Sequence, residues 1–269
     1  KENAVSISLP SLKPKSMLGN ISSLIASIKK TGLTFAPEAA TERLRKILNK
    51  DFNMQEFFEV VQHAYISGYQ NIKLYFMIGL PFEREEDLDG IVDFANNVSE
   101  LRRKINKFPT QVNPAPLARG GVNVSINTLV PKPHTPFQWF KMEQIDAIEY
   151  KQDYLKARIR KYLLSGRQER LKLSMRSPQM SFIEGVLSRG DRRLSQVILS
   201  AFNKGARFDA WDNYFVFERW MDAFKGSGID PNFYLMDKPK DEFLPWDFLD
   251  VGVSRETMIK EADKIVAII

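Results

Sequence analysis

Cysteine is absent from all 269 residues. That excludes disulfides, thiolate zinc sites and any cysteine-ligated iron–sulfur cluster within the chain. Histidine is scarce, with only His63 and His134, so metal binding would fall to carboxylates, and no carboxylate pattern has ligand spacing. No apolar run approaches the roughly 20 residues that cross a bilayer. The opening Lys1-Glu2-Asn3 lacks the basic-then-apolar profile of a signal peptide. The expectation is a soluble, cytoplasmic protein with no membrane contact. Also missing are a Walker A loop, a G-x-G-x-x-G turn and a G-x-S-x-G elbow, so nucleotide hydrolysis, Rossmann dinucleotide binding and serine esterase chemistry have no support. There is no internal repeat, and Pro109–Pro116 is the one low-complexity stretch.

What is present is ordinary globular material: 43% hydrophobic and 27% charged residues, enough to bury a sizeable core. The net charge of +6 is spread over small clusters, among them Arg102-Arg103-Lys104 and Arg192-Arg193. These read as solvated faces, with a polyanion surface for nucleic acid as the alternative.

Four apolar runs, at about 4–9, 33–37, 72–78 and 122–130, each deliver a special loop. The loops open at Leu9-Pro10, Ala36-Pro37-Glu38, Gly79-Leu80-Pro81 and Val130-Pro131-Lys132-Pro133-His134. Helical periodicity fills the intervals between the first three, which argues for a parallel sheet. Asn53-x-x-Glu56 opens one helix in capping-box style and Gly68 closes it. Each run alternates: Leu33 and Phe35 with Thr34 and Ala36; Ile72, Leu74 and Phe76 with Lys73 and Tyr75; Val122, Val124 and Ile126 with Asn123, Ser125 and Asn127. A parallel sheet covered on both faces reads as continuous apolar strands. Alternation instead predicts helices on one face and a wet concavity on the other, the geometry of a β/α barrel or part-barrel that encloses a cavity. An antiparallel sheet with one solvent face is the alternative, opposed by connections too long for hairpins.

The expected fold class is therefore α/β: a partial (β/α) TIM-type barrel with parallel strands over 1–164, then a mainly helical, aromatic-rich C-terminal extension over 165–269. Helices are expected near 84–105, 141–163, 180–189, 192–204, 214–226 and 254–267. The tryptophans of the extension read as core, with substrate stacking as the alternative.

Three loops carry the candidate chemistry. Glu38, at the mouth of a polar-faced strand, can accept hydrogen bonds from ribose-type hydroxyls or a ligand amine; the alternative is a cap on the helix that follows. Gly79-Leu80-Pro81 lets backbone approach a flat ligand, or is a plain turn. His134 sits in a proline-bounded loop where it can hydrogen-bond or transfer a proton, or merely anchor the loop. His63 lies in an amphipathic helix and reads as structural.

Together the motifs Ser8-Leu-Pro-Ser-Leu12, Lys30–Ala39, Ile72–Pro81 and Val130–Trp139 resemble an uncharacterised cobalamin-binding branch of the radical S-adenosylmethionine (SAM) superfamily. Met180–Glu184, Arg189–Arg193, Gly205–Asp209 and Leu244–Asp247 look like the C-terminal signatures of that branch. The resemblance implies a partial (β/α)₆-type barrel in which SAM lies across the strand ends and is cleaved reductively to a 5′-deoxyadenosyl radical. By position, Glu38 matches the residue associated with the SAM ribose. Gly79, Leu80 and Pro81 match the turn beside the adenine, and Val130 and Pro131, with His134 in the same loop, the sixth-strand contact. The four runs would be the third to sixth barrel strands.

This chain departs from that pattern in two places. The C-x-x-x-C-x-x-C loop that holds the [4Fe–4S] cluster follows the first strand of the family, and no cysteine is present here. Ala40-Thr41 stands where the family tends to have Gly-Ser. The resemblance thus implies the C-terminal portion of a radical SAM enzyme of unknown substrate, inactive as given, whose parent uses SAM, a [4Fe–4S] cluster and, as an option, cobalamin. Two alternatives stand beside it: a non-catalytic scaffold or interaction protein derived from such a barrel, and an ordinary barrel enzyme with Glu38 and His134 as an acid–base pair. A fragment would also leave the 4–9 strand with an open edge, prone to self-association.

Overall fold

The structure is a computed structural model and describes residues 32–50, 52–107, 120–164 and 171–268. The expected strand at 4–9, its open edge and the Pro109–Pro116 stretch lie outside the described residues.

Four parallel strands form one sheet in the order β1-β2-β3-β4: β1 Gly32–Glu38, β2 Asn71–Ile78, β3 Val122–Thr128 and β4 Leu171–Met175. The helices are α1 Glu42–Ile47, α2 Met54–Ile66, α3 Glu85–Lys107, α4 Ile145–Leu164, α5 Pro178–Arg189, α6 Leu194–Asn203, α7 Phe217–Gly226, α8 Asn232–Leu235 and α9 Arg255–Ala267. The α/β class with parallel strands is as expected, and so is a mainly helical tail. Strand β4 was not anticipated within that tail. Among the described residues, no helix is long and apolar enough to cross a membrane.

The chain divides into two compact units. Of the described residues, those within 1–78, 83–127 and 151–175 form the first, and those within 79–82, 128–150 and 176–269 the second. This division differs from a cut at 164, because β4 belongs with the sheet while the loops after β2 and β3 belong with the tail helices.

In the first unit the period-2 pattern becomes burial. Leu33, Phe35, Ile72, Leu74, Phe76, Val122, Val124 and Ile126 are all buried, and the residues between them along β1 to β3 are half-exposed. Helices α2 and α3 cover the apolar face through stacked rings. Phe57 of α2 meets Phe35 of β1 at 5.2 Å, and Phe94 of α3 meets Phe76 of β2 at 5.4 Å. Phe57 and Phe94 also pack on each other at 5.0 Å, an edge-rich cluster of the sort aromatic quadrupoles favour. Helix α2 starts where Asn53 accepts from the backbone N–H groups of Gln55 and Glu56. It ends at Gly68, whose φ of +92° suits a residue without Cβ.

Among the described residues, two apolar cores lie in the second unit. One joins α5, α6, α7 and α8 through Phe182, Val186, Val197, Trp220, Phe224 and Tyr234. The other gathers Trp139, Leu244, Trp246 and Met258 around α9. Of the three tryptophans in the extension, Trp220 and Trp246 are core, as expected, whereas Trp211 is 65% exposed; Trp139, before the extension, is core as well. Arg189 is fully buried and donates to the carbonyls of Phe140 (2.7 Å) and Met236 (2.9 Å). Burial pulls its guanidinium down to about 10.

Candidate functional site

Glu38 ends β1 in an unusual backbone state. Phe35 pairs with Leu74 but Glu38 with Phe76, so β1 carries one extra residue there. Pro37 supplies no N–H to the ladder, which is where a bulge is tolerated. Glu38 itself has φ +64°, a left-handed conformation that costs a non-glycine residue about 1–2 kcal/mol. Its carboxylate accepts from Lys50 Nζ at 2.7 Å, and both side chains remain partly exposed. Glu38 is not the helix cap: Thr41 occupies the N-cap of α1.

The loop beyond Glu38 is fastened to α3. Asp87, 4% exposed, accepts from Thr41 Oγ1 at 2.5 Å, from the Arg84 backbone N–H at 2.8 Å and from the Arg43 guanidinium. A Cβ on Gly90 would stand 3.3 Å from both Ala40 Cβ and Thr41 Cγ2. Ala40-Thr41, the pair that departs from the family's Gly-Ser, is thus packed and hydrogen-bonded. Buried Arg45 donates to the Ala40 carbonyl at 2.6 Å and covers the Phe52 ring at 4.7 Å.

The opposite face of the same sheet is polar. Thr34, Lys73, Tyr75, Asn123, Ser125 and Asn127 are half-exposed on it, and Lys73 Nζ lies 4.5 Å over the Tyr75 ring. Register places Asn123 beside Lys172 and Ser125 beside Ser174. Here is a row of donors and acceptors with two lysines, Lys73 and Lys172, suited to a polar ligand.

Gly79, Leu80, Pro81, Val130, Pro131 and His134 all fall in the second unit, and Glu38 falls in the first. Gly79 has φ +76°, and an added Cβ would meet Ile148 Cδ1 at 2.7 Å and Glu143 Cβ at 3.2 Å. Glycine is required there by packing as well as by conformation. Leu80 is buried, Pro81 half-buried, and Val130 packs on the helical core.

His134 also has a left-handed backbone, φ +55°. Its backbone N–H donates to Gln138 Oε1 at 3.0 Å, and Thr135 Oγ1 donates to the Lys132 carbonyl at 2.8 Å. The anchor of this loop is therefore the backbone amide and not the imidazole. Nε2 of His134 and Oγ1 of Thr128, which ends β3, are both buried with no hydrogen-bond partner among the described residues. An unsatisfied buried polar atom costs about 1–3 kcal/mol. Lys50, Asp87 and Gln138 escaped the sequence reading, because each partners a residue that only folding brings near.

In the first unit Glu38 offers a partly exposed carboxylate, an acceptor suited to hydroxyls, and in the second unit the β3 loop holds Thr128 Oγ1 and His134 Nε2. The [4Fe–4S] cluster does not fit. The sequence has no thiolate, and among the described residues no three His, Asp or Glu side chains gather as a metal site.

No family model matches the chain, and no solved structure does. It is similar to an uncharacterized protein of Methanocaldococcus jannaschii, 26% identical over 213 residues. That alignment takes in 79% of this chain but 42% of the relative, so the chain spans less than half the length of the archaeal protein it resembles.

Proposed function

We propose that the chain is the C-terminal, adenosyl-binding portion of a radical SAM enzyme, with a part-barrel made from the parallel sheet and its covering helices. One observation carries the reading. Three of the loops singled out by the motifs hold left-handed backbone, at Glu38, Gly79 and His134, and two of those residues are not glycine. Strain of this type persists where the surroundings over-determine it, and it clusters at ligand sites.

In this reading Glu38 accepts from ribose hydroxyls, in exchange for part of its contact with Lys50. The turn at Gly79-Leu80-Pro81 and the backbone of Val130 and Pro131 form a contact for the purine, and His134 supplies a ring nitrogen as donor or acceptor. The polar row from Thr34 to Asn127 holds the unidentified substrate in a wet cavity. In such a parent a cluster held by other residues would supply the electron for SAM cleavage. No residue of this chain ligates it, so radical chemistry belongs to the longer parent, as does any use of cobalamin. Cytoplasmic location is part of the same proposal.

Isothermal titration of SAM into the purified chain tests it. Saturable binding at micromolar concentration, weakened at least about tenfold by Glu38→Ala, is expected from loss of a charge-assisted hydrogen bond. Absence of binding, or binding indifferent to Glu38→Ala, contradicts the adenosyl site and favours the scaffold alternative.

A further inference from the structure

The second unit contains a cleft of about 480 Å³ that the adenosyl reading does not use. Its walls are Met180, Ile183 and Leu187 on α5, with Phe215 and Trp220 opposite. That volume and an apolar lining with few polar groups are typical of small-molecule sites.

Three charged side chains line the cleft: Arg176, Glu184 and Asp209. Both oxygens of Glu184 are claimed, Oε2 by Arg176 at 3.2 Å and Oε1 by Lys132 at 2.6 Å. Lys132 lies outside the lining and is 44% exposed, so solvent screens much of its charge. Asp209 differs. Its Oδ2 accepts the Trp220 indole N–H at 2.8 Å, a neutral donor, while Oδ1 is buried with no partner among the described residues. The lining thus sets one cation against two carboxylates, and the carboxylate left without a counter-charge is Asp209. A carboxylate placed against apolar walls without a cation is unfavourable unless something supplies the charge. Phe208, immediately before it, holds φ +58°, another non-glycine residue in left-handed backbone.

We propose that this cleft binds an organic cation, a primary ammonium group on an apolar body, with Asp209 as counter-ion and Trp220 and Phe215 as the aromatic walls. Aromatic faces add cation–π attraction to the ion pair, and Met180, Ile183 and Leu187 take the apolar portion. The site lies wholly within the second unit and does not depend on the adenosyl reading, so either can fail alone.

Saturation-transfer NMR on the full chain tests the proposal with three matched probes: benzylammonium, benzyl alcohol and benzoate. Benzylammonium is expected to bind saturably at about millimolar affinity, as suits a ligand of so few atoms, and more tightly than the other two. Asp209→Asn keeps an acceptor for the Trp220 indole and should weaken benzylammonium about tenfold. Leu187→Trp, at the exposed rim, should abolish binding by filling the cleft. Equal binding of benzoate or benzyl alcohol, unchanged affinity in both variants, or no saturable binding of benzylammonium to the wild-type chain would overturn it. Near-ultraviolet circular dichroism of each variant confirms that the fold is retained.

Discussion

The indole N–H of Trp246 donates to Gln138 Oε1 at 2.7 Å, and the same oxygen accepts the backbone N–H of His134 at 3.0 Å. Gln138 is 1% exposed, and its amide nitrogen faces Met258 Sδ at 3.8 Å. One buried amide therefore ties the loop after β3 to the α9 core. Gln138→Leu removes the acceptor and strands two donors, at a cost of about 1–3 kcal/mol for each one left buried. The expected outcome is a loss of about 2–6 kcal/mol in urea unfolding, with faster amide exchange at His134.

Glu38 holds strain that a glycine would not. Glu38→Gly should raise stability by about 0.5–1 kcal/mol, since relief of the left-handed conformation outweighs an exposed ion pair worth less than about 1 kcal/mol. SAM affinity should fall in the same variant. A lower thermal midpoint would show that the backbone there is not strained.

Gly79 makes the opposite case. Gly79→Ala places a Cβ 2.7 Å from Ile148 Cδ1 at φ +76° and should cost about 2–3 kcal/mol through overpacking and backbone strain. Ile148→Val removes the clashing methyl. In the Gly79→Ala background it should recover at least about 0.5 kcal/mol, read as a coupling energy in a double-mutant cycle.

Much of this was written in the sequence at short range. The alternation of Leu33 and Phe35 with Thr34 and Ala36 became burial, and Asn53 and Gly68 bounded their helix, because period and capping are local properties. Strand β4 escaped because Leu171-Lys-Leu-Ser-Met175 is short and buries only Leu171, leaving almost no amphipathic signal. The partner of Glu38 escaped because Lys50 reaches it only after α1 turns the chain back. Asp209 read as part of a tail motif, and only the packing of α5 against α7 reveals that it faces a cleft without a counter-charge. Bulge geometry at Pro37 is likewise a matter of register with β2, which no single strand encodes.

Asp191 gives a pH dependence. The Arg193 side chain, hydrogen-bonded at 2.7 Å, holds its carboxyl below the ordinary carboxylate range. A folded-state pKa below the unfolded one contributes stability that is present above the unfolded value and lost as pH falls through the folded one. Wild type should therefore lose stability relative to Asp191→Asn as pH falls through the ordinary carboxylate range and below it, by under about 1 kcal/mol for so exposed a pair. Denaturant midpoints across that range give the slope, and parallel curves for the two proteins would contradict the pairing.

Hydrogen exchange of the full chain with and without saturating SAM tests the adenosyl reading most directly, because it locates the ligand without requiring catalysis. Slower exchange at the amides of 38–41, 79–82 and 130–134, with 194–268 unchanged, is the predicted result. Unchanged exchange in all three loops, or protection confined to the tail helices, would contradict it.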